Sequence, residues 1–280
     1  SPWLKPGQAE IWRAASYRFH ALVAFDWQDG RVFLAGDSAH QTPPFLGQGM
    51  CQGLRDTVNL AWKLHHVITG LSSQKLLSTY TQERRPNVVA TTKLAKEFGK
   101  IISERDPLQA QLRDEKILNE NHGNPRTIIR QNLIPSYIDG LIAQSTPLAG
   151  SVFPQPLVDT YAGSGVMLDD LLEPCFRLIM IADSLVKQEI EAIVKRATSY
   201  RIPFILLHTE KLPQFQSESN CIHVLETKEL ITKWLQNNTV VGAIVRPDHY
   251  VYSGITQASD AMKYMDLLVS DLNQPVTMNQ

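Results

Sequence analysis

The residues best placed to do chemistry lie between Arg31 and Leu64. Asp37 follows Gly36 at the end of the apolar run Val32-Phe33-Leu34-Ala35. At a strand end such a carboxylate can accept hydrogen bonds from ligand hydroxyls, and bonds to a charged acceptor contribute roughly 1.5–3 kcal/mol net. Pro43 and Pro44 hold the next loop extended and remove their N–H donors, so a carbonyl there can face a ligand without competing amides. Gly47-Gln48-Gly49 lets the backbone come close to a planar ring. Met50 and Cys51 then open a helix, where unpaired N–H groups and the helix dipole favour negative charge. A carboxylate and a helix N-terminus brought together suit a polyhydroxylated, electron-rich ligand. Each feature also has a plain structural reading: Asp37 as a loop or cap aspartate, Pro43-Pro44 as a rigid turn, Cys51 as a small helix residue.

The elements that must position these residues follow from patterning. Tyr17 to Phe25 is rich in aromatic and β-branched residues and reads as a strand. Trp27-Gln28-Asp29-Gly30 is turn chemistry, and Val32 to Ala35 a short apolar strand. From Met50 to Ile68 the apolar residues Leu54, Val58, Ala61, Leu64 and Ile68 recur at helical spacing, with Gly70 as a stop. A second helix runs from Lys75 to about Ser103, and Pro86 is expected to kink or divide it. Leu108 to Leu118 forms another. Asn121 to Gly150, with its scattered Gly and Pro, is the loosest stretch, and a domain boundary is expected near Pro147 to Ser151. Beyond it, strands at Phe176–Ala182, Pro203–His208 and Ile222–Leu225 alternate with helices at Ser184–Ala197 and Thr227–Gln236. Val240–Arg246 and Tyr250–Tyr252 flank Pro247-Asp248-His249 as a hairpin-like pair, and Gln257 to Leu272 is a last helix. This order predicts a small α/β domain with a mixed sheet.

Other polar residues read as structural. His40 is expected to pack or hydrogen-bond, Arg55 and Asp56 to pair or anchor their helix, and Arg84-Arg85-Pro86 to act as a tertiary anchor. Asp169-Asp170 and Glu189/Glu191 read as solvated or capping residues. His65-His66 are adjacent, so they do not share a helix face for a metal, and no metal site is expected.

The chain has 280 residues, 43% of them hydrophobic and 20% charged, with a formal net charge of −1. That is enough to bury a full core in one or two domains. No basic excess points to nucleic acid or an anionic membrane. No apolar run reaches the roughly 18 residues of a membrane span. Ser1-Pro2-Trp3-Leu4-Lys5 has no secretory pattern. Cys51, Cys175 and Cys221 are odd in number and far apart, which fits a reducing cytoplasm.

The run Gly36-Asp37-Ser38-Ala39-His40-Gln41-Thr42-Pro43-Pro44-Phe45-Leu46-Gly47-Gln48-Gly49-Met50-Cys51, with Arg55-Asp56 and Asn59-Leu60-Ala61-Trp62-Lys63-Leu64 behind it, resembles the second flavin-binding motif of the single-component FAD-dependent aromatic hydroxylases. Its wording is similar to that of 3-(3-hydroxyphenyl)propionate hydroxylases. The resemblance implies an α/β, mixed fold: residues 1–148 as the C-terminal portion of an FAD-binding monooxygenase domain, and 149–280 as a thioredoxin-like domain without redox cysteines. Leu168-Asp169-Asp170-Leu171-Leu172 and Val245-Arg246-Pro247-Asp248-His249-Tyr250-Val251 carry the second part of it. That domain is expected to serve scaffold or oligomer contacts.

By the same resemblance Asp37 holds the ribityl chain of FAD, and Pro44 lines the reaction zone through its backbone. Gly49, Met50 and Cys51 contact the pyrimidine edge of the flavin through backbone groups, and Gly47 and Gln48 lie beside the ring. Many relatives have Asn where this chain has Cys51; a backbone contact survives that change, and an amide side-chain role does not. Phe45 and Leu46 are expected to form an apolar wall for the substrate. The implied reaction inserts one oxygen atom from O2 into a small phenolic substrate, with FAD as cofactor and NADH or NADPH as co-substrate. The chain carries no Gly-x-Gly-x-x-Gly after a strand to hold the FAD pyrophosphate. It is therefore expected to be the C-terminal part of a longer enzyme, inactive alone, whose partner is the N-terminal part of the same polypeptide; a homodimer is a further possibility. Two alternatives stand beside this: a hydroxylase of another phenol or a polyketide, and a non-enzymatic scaffold with a remnant flavin site.

Overall fold

The computed structural model describes residues 7–10, 12–124, 134–213 and 221–273. Residues 1–5, and Pro125 within the loose stretch, lie outside the described residues.

The leading segment is built from very short strands. β1 (Leu22–Val23) pairs antiparallel with β4 (His40–Gln41), and β2 (Gln28–Asp29) pairs with β3 (Val32–Phe33) around Gly30, whose φ is +55°. The strand expected over Tyr17–Phe25 is therefore paired only at Leu22–Val23, where β4 supplies a neighbour. The strand expected over Val32–Ala35 stops at Phe33 because Gly36 to Ser38 turns into a 3-10 helix.

Three helices follow: α1 (Gly49–Ile68), α2 (Lys75–Ser103) and α3 (Pro107–Glu120). Asp106 caps α3 by accepting the Leu108 and Gln109 amides, with Pro107 at the first helical position. Pro86 lies inside α2, which continues past it undivided; of the two expected outcomes, division does not occur. Proline removes an intrahelical bond there, but tertiary bonds hold the helix on both sides. Arg85 Nε donates to the Ala24 carbonyl at 3.0 Å, and Asn87 Nδ2 to the Pro135 carbonyl at 2.5 Å.

The second portion is a seven-stranded sheet in the order β11-β10-β7-β8-β9-β5-β6. Its strands are β5 (Leu157–Asp159), β6 (Val166–Met167), β7 (Arg177–Ile181), β8 (Phe204–His208), β9 (Cys221–Glu226), β10 (Gly242–Val245) and β11 (Val251–Ile255). β7, β8 and β9 run parallel, and the outer strands are antiparallel. Helices α4 (Lys187–Ser199), α5 (Leu230–Asn237) and α6 (Ala258–Asn273) complete it. Every residue of β7 is buried, as expected of a central strand covered on both faces. β5 and β6 are additions that the sequence pattern did not reveal.

The core is not confined to one portion. One buried cluster joins Trp62 of α1 and Leu76 of α2 to Phe176, just before β7, to Leu178 and Met180 of β7 and to Ala261 and Met265 of α6. Trp62 meets Phe176 edge-on with centroids 5.3 Å apart. Among the described residues no helix is long and apolar enough to cross a membrane.

α1 is oriented against its own hydropathy. Its buried residues are Gln52, Asp56, Asn59, Trp62 and Lys63, while Met50, Leu54, Val58 and Ile68 are exposed. The apolar spacing that marks this helix therefore lies on its outer face, and a polar face is turned inward.

Candidate functional site

Two glycines set the geometry around Asp37. Gly36 has φ +58°, a conformation that side chains other than glycine's rarely adopt. A Cβ added at Gly53 of α1 would lie 3.3 Å from the Gly36 Cα, so the turn sits directly on the helix. The Gly36 amide donates to Asp56 Oδ2 at 3.0 Å, which fixes the turn to α1. Asp37 then projects beside it, exposed, and its carboxylate has no partner among the described residues.

Asp56 is the centre of a buried anchor. It also accepts from Arg84 Nε at 2.8 Å and is bonded to His40 Nε2 at 2.7 Å. Burial alone would raise its carboxyl pKa, but the His40 bond, the Arg84 charge and the Gly36 amide hold it below the usual carboxylate range. His40 stacks on Trp27 at 5.5 Å between centroids. Arg84 NH2 reaches Gln52 Oε1 at 2.6 Å, and its NH1 reaches Asn87 Oδ1 at 3.0 Å. The packing or hydrogen-bonding role expected of His40 and the anchoring roles expected of Asp56 and Arg84 meet here in one cluster. Arg55 instead donates to Gln48 Oε1 at 3.3 Å.

The Pro-Pro loop ends in a 3-10 turn, Pro44–Leu46, closed by Gly47 at φ +61°. The Gly47 amide donates to the Pro44 carbonyl at 2.9 Å, so one lone pair of that oxygen is taken by the turn. Pro44 is exposed, while Phe45 and Leu46 are half-buried. The Phe45 ring lies on Gly99 of α2, where an added Cβ would come within 2.4 Å of Cε2, and it meets Phe19 edge-on at 6.1 Å. Thr42 Oγ1 ties the loop to Thr92 Oγ1 of α2 at 3.0 Å. Gly99 is thus a positioning residue for the loop, and nothing near it in sequence marks it as such.

Gln48 precedes α1 and is buried, and no side chain caps the helix. The first bond of the helix runs from the Gln52 amide to the Gln48 carbonyl at 2.8 Å. The amides of Gly49, Met50 and Cys51 therefore have no intrahelical acceptor. Cβ atoms added at Gly47 or Gly49 would meet nothing within 4 Å, so the space over this turn is open. An exposed carboxylate, an uncapped helix N-terminus and open space above two glycines fit a polyol chain joined to an electron-rich planar ring. A cavity of about 660 Å³ lies elsewhere, between the β2–β3 hairpin and the α1–α2 corner, lined by Arg31, Phe33, Val67 and Leu77 among others.

A second buried cluster lies one turn further along α1; Asn59, Lys63, Arg246 and Asp248 fall in the stretches that carry the resemblance, but no local pattern marks them as partners of one another or of Glu83. Arg246 donates to both oxygens of Glu83, at 2.9 and 2.7 Å, and to both oxygens of Asp248, at 3.0 and 2.7 Å. Lys63 Nζ donates to Glu83 Oε2 at 2.6 Å. Asn59 Nδ2 donates to Glu83 Oε2 at 2.7 Å and to Asp248 Oδ2 at 2.8 Å. Desolvation would raise the Glu83 carboxyl, but Arg246 and Lys63 hold it at about 2. Burial lowers Lys63 to about 8, opposed by Glu83. Asp169, expected to be solvated or capping, is instead half-buried and paired with Arg177, with His249 Nδ1 3.2 Å away. Burial would raise its carboxyl; the His249 bond and the Arg177 charge bring it below the ordinary value. Glu189 does cap: its Oε2 accepts the Val186 amide at 2.9 Å.

Comparison with known proteins agrees with this architecture. Residues 4–95 match the FAD binding domain family, and residues 150–271 the HcaD C-terminal domain family. The two matches place the chain with the FAD-dependent aromatic hydroxylases, over the C-terminal portion of their length. Among sequence relatives, a "probable NADH-specific resorcinol 4-hydroxylase" of Rhodococcus jostii (strain RHA1) is 34% identical over 259 residues, covering 92% of this chain and 46% of that protein. A 3-(3-hydroxy-phenyl)propionate/3-hydroxycinnamic acid hydroxylase of Burkholderia cenocepacia (strain HI2424) is 32% identical over 252 residues, covering 86% of this chain and 46% of the relative. The chain thus spans about half the length of these curated relatives. The fold is shared with aklavinone-11 hydroxylase, solved with FAD and aklavinone, at TM-score 0.65 and 20% identity, covering 91% of this chain and 46% of that one. It is shared also with OxyS anhydrotetracycline hydroxylase from Streptomyces rimosus, at TM-score 0.63 and 22% identity, covering 89% and 46%.

Proposed function

We propose that this chain supplies the ribityl- and pyrimidine-contacting half of an FAD site in a flavoprotein aromatic hydroxylase. The reaction inserts one oxygen atom from O2 into a phenol, with NADH or NADPH as reductant, and 3-(3-hydroxyphenyl)propionate is the substrate we favour. FAD, when bound, supplies the redox and oxygen chemistry; the protein binds it, orients it and excludes water. Asp37 accepts hydrogen bonds from ribityl hydroxyls. The amides of Gly49, Met50 and Cys51 face the pyrimidine edge, where negative charge gathers on reduction. Gly47 and Gln48 flank the ring. Pro44 lines the reaction zone through its backbone, and Phe45 and Leu46 wall the substrate.

The observation that carries this reading is the pairing of an unpartnered Asp37 carboxylate with the uncapped first turn of α1, both fixed by Asp56 and Gly53. We divide the chain at 148/149, into an FAD-domain portion and a domain with the HcaD C-terminal match. The exposed stripe of Met50, Leu54 and Val58 begins at the site itself. It suits cover by a nucleotide-binding segment, which would also supply the pyrophosphate contacts and without which we expect no turnover.

A titration of the chain with FAD, followed by flavin fluorescence, tests the reading. Saturable binding is expected, weakened about 10-fold or more in Asp37→Ala, as loss of a charged hydrogen bond implies. Equal affinity in the variant would overturn the assignment of Asp37.

A further inference from the structure

The second buried cluster joins the two portions of the chain, and its partners are far apart in sequence. Arg246 and Asp248 belong to the turn between β10 and β11, Asn59 and Lys63 to α1, and Glu83 to α2. All five are buried. The set carries two cations and two carboxylates, so it is neutral as a unit. Around it Tyr137 stacks on Tyr250 at 3.8 Å between centroids, and the Arg246 guanidinium lies 5.3 Å from the Tyr137 ring.

The cluster is continuous with the anchor that fixes the Gly36 turn. Asp56 and Asn59 are one helical turn apart on the same face of α1. Glu83 and Arg84 are neighbours on α2. Each helix therefore contributes to both layers: Asp56 and Arg84 to the layer that holds the Gly36 amide, Asn59, Lys63 and Glu83 to the layer gripped by Arg246 and Asp248. A bidentate guanidinium fixes angle as well as distance. Because the inward face of α1 is polar, its rotation and axial position against α2 rest on these directional bonds more than on shape-filling apolar contacts.

We propose that Arg246 and Asp248 are positioning residues for the flavin half-site: the β10–β11 turn of the C-terminal portion sets the register of α1, and through Asp56 the placement of Gly36 and Asp37. This rests on the reading of Asp37 given above, and it assigns the C-terminal portion a part in forming the site rather than only scaffold or oligomer contacts.

The test is amide hydrogen exchange at Gly36 to Ser38 and at Gly49 to Cys51, measured by NMR on the whole chain alongside the FAD Kd. Asp248→Asn keeps the shape and one acceptor and removes the charge. Leu235→Ala, a truncation in the opposite sheet core, serves as a control that lowers global stability without touching the cluster. Expected for Asp248→Asn is exchange at Gly36 about 5-fold or more faster than in a control of matched stability, with FAD affinity weakened in proportion. Arg246→Lys, which keeps the charge and loses the fork, should fall between wild type and Asp248→Asn. Exchange at Gly36 that follows only global stability in both variants would overturn the proposal. If the wild-type chain shows no saturable FAD binding, the flavin reading fails on that arm, while the Gly36 exchange still decides whether the turn is positioned from β10–β11.

Discussion

At the scale of single residues, the polar groups of this chain do two different jobs, and burial separates them. Asp37 is exposed and uncommitted, whereas Asp56, nineteen positions later, is fully buried and accepts from Gly36, Arg84 and His40. Removing one member of a buried ion pair leaves its partner charged and desolvated. Asp56→Ala is therefore expected to destabilise the fold by about 3–5 kcal/mol. Asp37→Ala, at an exposed position, should change stability by no more than about 0.5 kcal/mol. Urea denaturation of the two variants checks this contrast. Similar losses for both would mean that Asp37 has a structural role. The sequence marks both aspartates, because each lies in a dense motif. It does not mark Glu83, Arg246 or Asp248 as partners, since a contact across 163 or 189 residues leaves no local pattern.

At the scale of elements, α1 shows what periodicity conveys and what it leaves open. The apolar spacing of Leu54, Val58 and Ile68 identifies a helix over nearly its observed length, yet those side chains face outward. Hydropathy alone assigns them to the core; the inward position of Asn59 and Lys63 depends on carboxylates brought from α2 and from the β10–β11 turn. The central strands were legible because β7 and β8 each hold four consecutive apolar residues and β9 carries Ile222, Val224 and Leu225, but β5 and β6 are two or three residues long and carry no such signal. α2 gives the complementary lesson. Pro86 is a strong local breaker, and the Arg84, Arg85 and Asn87 contacts outweigh it. Replacing it restores an N–H for the Gln82 carbonyl and removes the ring's clash with the preceding turn. Pro86→Ala is thus expected to stabilise the chain by about 1–3 kcal/mol, read as a higher urea midpoint. A lower midpoint would show that the proline shapes the helix for its contacts with Ala24 and Pro135.

At the scale of the molecule, the question is whether the two portions unfold together. They share the cluster around Trp62, Phe176 and Met265, and they share the ionic network. The network gives acid sensitivity a definite sign. Glu83 is held at about 2 against an ordinary value of 4.5, so its contribution is fully present above pH 4.5 and is lost as pH falls toward 2. A shift of that size corresponds to about 3 kcal/mol. Asp56 is depressed as well and adds to the loss in the same direction. Lys63, lowered to about 8 by burial, acts oppositely: its protonated form costs stability below that pH, and the cost disappears as pH rises through 10.5. Acid therefore weakens the bond between the portions, through Glu83, and the anchor inside the first portion, through Asp56. Trp27 lies in the small core of the first portion and Trp234 against the core of the second. Variants retaining only one of these tryptophans should show coincident fluorescence transitions at neutral pH in urea. Below about pH 4 the transitions should separate, with the Trp27 portion released first, because its small core depends on Asp56 and its neighbours. In Glu83→Gln the separation should already be present at neutral pH. Coincident transitions at every pH in that variant would show that the shared apolar cluster, not the charge network, couples the two portions.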